Sequence, residues 1–435
     1  MKFLHAADVH LDSPLRGLRS KTDAPIDNIR TASRRALQNL VALAIKETVD
    51  FVVIAGDLFD GDRDNYDTSL FFVKQAAKLK EAGIPLLLIW GNHDAQSKMM
   101  RTVTWPTNVK VFSAEAAETR TAESLGINAP IAIHGWSFAT ASEQRNLVAA
   151  YPKPISDCFN LGILHTSLTG AEGHDNYAPC TLDDLAARGY DYWALGHIHQ
   201  RDWLPRDVEK GGAPVVFPGN LQGRHIKETG AKGCYLIEAD ASGVKKQTFY
   251  ALDVFRWECL PLNVLACEKL DDLLALFSRQ LQQVYAAGDG RHLAVRVTCA
   301  GSGELFDSIV SRPAKLEAEL NKILYELVGE EVWLEALRVE SRSAPDAIEE
   351  PISDAISEYL QREVSNLSNK DVSAEFAQLF ADLVRKLPPE LLEEFDIRQG
   401  NLTTTAWWQD SIRDAETLLW ARLREQPANW QGAAK

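Results

Sequence analysis

Five short stretches of this 435-residue chain carry side chains suited to metal chemistry, and each begins where an apolar run ends. They are Ala7-Asp8-Val9-His10, Gly56-Asp57-Leu58, Gly91-Asn92-His93-Asp94, Leu164-His165 and Gly196-His197-Ile198-His199. Of the ten histidines, nine precede residue 226, and five of those lie in these stretches. Carboxylate, imidazole and amide oxygen without thiolate suit Mn, Fe or Mg better than structural zinc. Seven candidate ligands are too many for one ion and suit two. Two ions about 3.5–4 Å apart can clamp the attacking and leaving oxygens of a phosphoryl centre, and a hydroxide between them is a usable nucleophile at neutral pH.

Such residues need rigid mounts. The run Ile84-Pro85-Leu86-Leu87-Leu88-Ile89-Trp90 reads as a buried strand, with Gly91 as a tight exit that delivers Asn92 and His93. Lys2–Ala7, Phe51–Ala55 and residues 131–134, 160–164, 191–195, 214–217, 233–239 and 245–251 also read as strands. Helical periodicity covers 30–48 and 68–82, so residues 1–254 read as an α/β layered domain. The carboxyl ends of strands in an open α/β sheet face one crevice, which would bring the five stretches together. Residues 255–340 read as a small separate β-α-β-α-β domain, with helices near 269–286 and 312–328. After a linker at Ser341–Pro345, residues 346–428 read as mostly amphipathic helix.

The composition is that of a soluble globular protein, 46% hydrophobic and 25% charged, and no apolar run approaches the ~20 residues of a membrane-spanning helix. His5, Asp8, His10 and Asp12 stand where a signal peptide would have its apolar core, so the expected location is cytoplasmic. The six cysteines are scattered, with no CxxC, and read as reduced thiols. The net charge of −15 argues against a nucleic-acid binder, but it is uneven. Residues 256–435 hold 19 basic and 31 acidic side chains, leaving 27 and 30 for residues 1–255. A nearly neutral N-terminal part can carry a local basic groove, to which metal ions would add charge.

DxH, GDxxD, GNHD, a lone histidine after an apolar strand and GHxH, in this order, resemble the calcineurin-like metallophosphoesterases. FLHAADVHLD, VIAGDLFD, IWGNHD, ALGHIHQ and FPGNLQGRHIKETGAKGCYLIE are similar in more detail to bacterial DNA repair exonucleases of the YhaO group, relatives of the SbcD nuclease subunit. The resemblance covers about residues 1–250 and extends in position and size to a capping domain. It implies a metallophosphoesterase β-sandwich flanked by helices and a small capping domain over 255–340, and the helical pattern adds a helical C-terminal region over 341–435. It implies two divalent ions, manganese foremost, with magnesium or iron as alternatives. Asp8, His10 and His199 would bind the first ion, Asp57 would bridge, and Asn92, His165 and His197 would complete the second site. His93 would contact the scissile phosphate. Some relatives carry a second histidine where this chain has Asp60, and Asp60 would hydrogen-bond His93 and raise its pKa. The implied partners are DNA and a coiled-coil ATPase of the SbcC or YhaN kind, docked on the C-terminal helices, with a homodimer as an open alternative.

Other residues keep two readings. His134 lines the site or, preferably, is a strand-end core histidine, and His5 is structural. His174 lies in a glycine-rich loop that touches substrate or crosses the surface. Arg224 and His225 approach the phosphodiester or pack the Pro218-Gly219-Asn220 turn. Arg16 and Arg19 contact nucleic-acid phosphates or sit in a solvated loop. Trp407, Trp408 and Trp420 form a partner surface or helical core. The expected function is metal-dependent DNA exonuclease activity in repair, with hydrolysis by a hydroxide activated between two ions. The alternatives are a phosphatase or small-molecule phosphodiesterase of the same superfamily, and a metal-bound subunit without turnover.

Overall fold

The computed structural model describes residues 1–13, 31–60, 66–97, 103–168, 177–204 and 212–341, with isolated helical positions at 362, 378, 381, 415 and 418. Arg16, Arg19, His174, the tryptophans at 407, 408 and 420, and nearly all of the expected C-terminal helical region lie outside the described residues. The chain divides into two compact units. One is Met1–Glu258 with Gly288–Ala294, and the other is Cys259–Ala287 with the chain from Val295 onward.

The first unit is built on two six-stranded sheets. In chain order its elements are β1 (Lys2–Ala6), α1 (Ala32–Lys46), β2 (Phe51–Ala55), α2 (Tyr66–Glu81), β3 (Leu86–Ile89), α3 (Asn92–Gln96), β4 (Val109–Val111), β5 (Glu118–Thr121), α4 (Ala122–Leu125), β6 (Ile131–Gly135), β7 (Phe159–His165), α5 (Leu182–Ala187), β8 (Tyr192–Gly196), β9 (Asp202–Leu204), β10 (Val215–Phe217), β11 (Gly233–Asp240) and β12 (Gly243–Ala251). The first sheet has the order β12-β11-β1-β2-β3-β4 and the second β5-β6-β7-β8-β10-β9. β1 to β4 pair in parallel, with β11 and β12 added antiparallel. β6, β7, β8 and β10 are likewise parallel, with antiparallel β5 and β9 at the edges.

The central strands are apolar on both faces because both faces are covered. Leu4, Val52, Ile54, Leu86 and Leu88 pack against Leu37 and Leu40 of α1 and Phe72 and Leu79 of α2. The alternate residues Phe3, Phe51, Val53, Leu87 and Ile89 meet Ile133, Phe159, Leu161, Ile163 and Val216 of the second sheet. Phe3 and Phe51 stack at 4.9 Å between ring centroids inside this layer. The site stretches therefore come from two facing sheets, where the residue pattern alone suggested the crevice of one open sheet.

The remaining elements are β13 (Phe255–Asn263), α6 (Leu270–Ala287), β14 (His292–Gly301), α7 (Glu304–Ser311), α8 (Pro313–Val328) and β15 (Val332–Ser341), with the three strands in the order β13-β14-β15. α6 buries Leu273, Phe277 and Leu281, and α8 buries Leu316, Leu320 and Leu324, one residue per turn along a single stripe. The helix expected over 312–328 begins at Pro313 and is preceded by α7, which was not expected. Arg312 breaks the two, with φ −136° and ψ 58°, because the residue before proline is disfavoured in the helical region.

Candidate metal centre

The strand ends hold their polar residues in a constrained backbone. Beyond β1 and β2 the two chains continue side by side: Asp8 N–H donates to Gly56 O (3.1 Å), His10 N–H to Asp57 O (3.0 Å) and Leu11 N–H to Leu58 O (2.9 Å). Asp8, His10, Asp57 and His197 have φ of 49°, 42°, 51° and 102°, a region that side chains other than glycine enter at a cost of about 1–3 kcal/mol each and that clusters at functional sites. Asp8 ties the two sheets together, since His197 N–H donates to both of its carboxylate oxygens (3.1 and 3.0 Å). The glycine exits are steric necessities. A Cβ at Gly91 would lie 2.2 Å from Asp57 Oδ1, and one at Gly196 would lie 2.0 Å from Ala55 O. Gly91→Ala is expected to destabilise the fold by about 1–3 kcal/mol through overpacking and to weaken metal binding. Thermal unfolding with and without metal reads both, and unchanged values would refute the packing account.

Three groups of side chains could each hold an ion: Asp8, His10 and His199; His10, Asp60 and His93; and Asp57, His165 and His197. In the first, His10 Nε2 and His199 Nε2 approach to 3.2 Å. His199 Nδ1 lies 2.6 Å from Glu228 Oε1, so that nitrogen donates and Nε2 keeps its lone pair. In the third, His165 Nδ1 faces Ala55 O at 2.9 Å, which again leaves the lone pair on Nε2. That atom points at Asp57 Oδ2 (3.4 Å) and Asn92 Oδ1 (3.1 Å), both acceptors. Acceptors aimed at one another in a buried site need a cation between them, either a proton or a metal ion. The donor set is oxygen and imidazole nitrogen throughout, as divalent Mn, Fe or Mg prefers. Asp57 lies between the groups, with Oδ2 also 3.8 Å from His10 Nε2.

Charge follows this geometry. Burial opposes charging His165, yet Asp57 and Asp8 outweigh it and push its pKa up to about 9. Burial, with Arg224 nearby, pulls His10 down to about 3. Burial opposes ionising Asp57, but His165 and His93 hold its carboxyl well below the usual range. A proton and a metal ion therefore compete for His165 at neutral pH. Affinity at that group is expected to rise about tenfold per pH unit toward pH 9 and to level off above, with one proton released per ion. Metal titration in buffers of different ionisation heat measures this release, and pH-independent uptake would contradict it.

The expected site residues come together within the described part of the chain. His93 Nδ1 lies 3.2 Å from Asp60 Oδ1, and its side chain is 35% exposed, whereas Asp57 and His10 are buried. Burial works against charging His93, but Asp57 and Asp60 raise its pKa. Asp60 accepts from Ser13 Oγ (2.7 Å) and lies 3.5 Å from His10 Nδ1 and 3.8 Å from Arg224 Nη1. Arg224 thus stands beside the cluster, and His225 Nε2 contacts Glu228 Oε1 at 3.3 Å. Arg16 lies outside the described residues. His134 is fully buried between Thr119 and Asn160 and stacks on Tyr190, and His5 is buried against Tyr192 and Leu195 O.

Two residues here had no role in the sequence reading. Asp94 accepts from the backbone N–H groups of Leu58, Phe59 and Gly91, bracing the loops that carry Asp57 and Asn92. Burial and the neighbouring Asp57 push its pKa up to about 7. Its position as the last residue of GNHD was the available signal. Glu228 is buried behind His199 and Arg224. It lies in the stretch FPGNLQGRHIKETGAKGCYLIE that carries the family resemblance, but no metal-ligand spacing marks it there.

Residues 1–201 match the family model of calcineurin-like phosphoesterases, and residues 257–342 match that of the middle domain of metallophosphoesterase YhaO. The metallophosphoesterase YhaO of Bacillus subtilis is 32% identical over 396 residues, which cover 90% of this chain and 89% of that protein. The DNA double-strand break repair protein Mre11 of Methanopyrus kandleri is 27% identical over 279 residues, covering 58% of this chain and 57% of its own length. A dimetal phosphatase from Danio rerio aligns in structure with a TM-score of 0.34 at 14% identity, covering 55% of this chain and 93% of that one. With this identity to YhaO sustained along nearly the whole of both chains, the protein belongs to the calcineurin-like metallophosphoesterases.

Proposed function

We propose that this metallophosphoesterase is a metal-dependent DNA exonuclease that serves DNA repair in the cytoplasm. The similarity over 279 residues to a protein named for double-strand break repair carries this reading. Asp8, His10 and His199 would hold one divalent ion and Asn92, His165 and His197 the other, with Asp57 between them. Manganese is the first candidate. When bound, the ion pair supplies positive charge for the phosphoryl oxygens and lowers the pKa of water. The chain's own residues do the rest. Asp60 accepts from His93 Nδ1, so the ring holds its proton there and presents Nε2 to the scissile phosphate. Arg224, with its guanidinium 3.8 Å from Asp60, adds fixed positive charge beside the same phosphate.

The reading includes three domains: a nuclease domain over 1–254, a capping domain over 255–340 and a partner-docking region over 341–435 for a coiled-coil ATPase of the SbcC or YhaN kind. The purified chain, incubated with end-labelled single- and double-stranded DNA in Mn, Mg or EDTA, is expected to shorten DNA only with metal. Faster turnover of nucleotide monophosphates than of DNA would replace the nuclease reading with that of a small-substrate phosphatase. Size measurement with and without the ATPase reads the assembly state.

A further inference from the structure

Glu228 sits 5% exposed at the back of the candidate centre, and five nitrogen atoms converge on its carboxylate. Oε1 lies 2.6 Å from His199 Nδ1, 3.3 Å from His225 Nε2 and 3.4 Å from Arg224 Nη2. Oε2 accepts from Arg224 N–H (2.6 Å) and from Asn220 Nδ2 (2.8 Å). Among the described residues, Glu228 is the carboxylate within hydrogen-bond distance of His199 Nδ1.

We propose that Glu228 is the positioning residue of the first metal site: it fixes His199 as the tautomer protonated at Nδ1, so that Nε2 faces His10, and it anchors Arg224 beside Asp60. This rests on the metal reading of Asp8, His10 and His199. The chemistry behind it is general. An imidazole ligand whose second nitrogen donates to a carboxylate is held in one orientation and made more basic, and loss of that partner weakens metal affinity about 10–100-fold. The backbone adds a second restraint, since Lys232 Nζ donates to His199 O (3.0 Å) and Asn220 N–H donates to the same oxygen (3.3 Å). Those bonds fix the main chain of His199. At the ring, Arg224 Nη2 also lies 3.3 Å from Nδ1, but a guanidinium only donates, so the 2.6 Å contact to Glu228 is the one that can hold a proton on that nitrogen.

Both oxygens of Glu228 act as acceptors at 2.6 Å, so a glutamine of the same shape cannot substitute. Its single oxygen can serve His199 or the Arg224 N–H, and its NH2 then faces a donor on the other side. Metal-free full-length chains of wild type, Glu228→Gln and His199→Ala are titrated with Mn, and bound metal is counted per chain. Wild type is expected to take up two ions. Glu228→Gln should keep the second ion at unchanged affinity and bind the first about 10–100-fold more weakly, shifting toward the behaviour of His199→Ala. Equal binding of both ions by Glu228→Gln and wild type would overturn the role of Glu228. A wild-type chain that takes up fewer than two ions would instead overturn the two-metal reading, and this role with it.

A second measurement needs no foldable Glu228 variant. Histidine-selective nitrogen-15 spectra of wild type, loaded with diamagnetic Mg or Zn, should show His199 protonated at Nδ1, with a downfield proton typical of a short bond to a carboxylate. The resonance is assigned by its loss in His199→Ala. A proton found on Nε2 would overturn the proposal.

Discussion

Replacing His93 with alanine is expected to lower turnover about 10²–10⁴-fold while leaving both ions bound, the range associated with loss of a positioned proton donor. The side chain and backbone of this residue do separate things. The ring touches Asp60, whereas the N–H donates to Asp57 Oδ1 (3.0 Å) and so supports the carboxylate proposed to lie between the ions. Alanine keeps that N–H. Metal content measured beside the rate therefore separates the two contributions, and a wild-type rate with His93 absent would remove the ring from the mechanism. Asp60→Asn should act on the same ring through charge. Asp60 helps to raise the His93 pKa, so its neutralisation lowers that pKa. On the proposed role a protonated His93 is the competent form, so activity should be present below its pKa and lost above it. The alkaline limb of the rate profile should accordingly move to lower pH in Asp60→Asn, and a limb that stays in place would detach His93 from it.

Asp57→Asn is expected to remove at least one ion and to lower turnover by about a thousandfold, the rate equivalent of several kcal/mol of charge stabilisation. The substitution is nearly isosteric, and its amide oxygen can still accept from His93 N–H. What disappears is the negative charge between the groups, with Oδ2 3.4 Å from His165 Nε2 and 3.8 Å from His10 Nε2. Burial alone would keep Asp57 protonated, and the surrounding histidines hold it ionised instead, so the charge is maintained for those neighbours. The variant should also let the His165 pKa fall from its raised position in the metal-free chain, because Asp57 is the principal cause of the rise. Metal counting and a histidine NMR titration test both halves. Retention of two ions at full affinity would show that Asp57 does not bridge.

The sequence by itself determined the ligand candidates and the strands that carry them. Those features are local: beyond Leu86–Ile89 and Trp90 comes Gly91, where only glycine fits against Asp57 and His165, and the polar residues follow without spacing. A strand buried on both faces is an unbroken apolar run, so β1, β2, β3, β7 and β8 could be read directly. The helices α1, α2, α6 and α8 show their buried stripes at a spacing of three and four residues. The short edge strands β4, β5 and β9 went unread, since three or four half-exposed residues carry too little alternation. Only the tertiary structure decided that the candidate ligands come from two sheets. Asp8, His10, Asp57 and Asn92 extend from the first and His165, His197 and His199 from the second, and the two sets meet because Phe3, Phe51 and Leu87 bury against Phe159, Leu161 and Ile163. That pairing depends on the shape of two apolar faces, which no local pattern encodes. Glu228 shows the same limit at a single residue. Its spacing from His199 has no periodic meaning, and its effect exists only once the chain through Asn220 folds back and buries a carboxylate where five nitrogens need one.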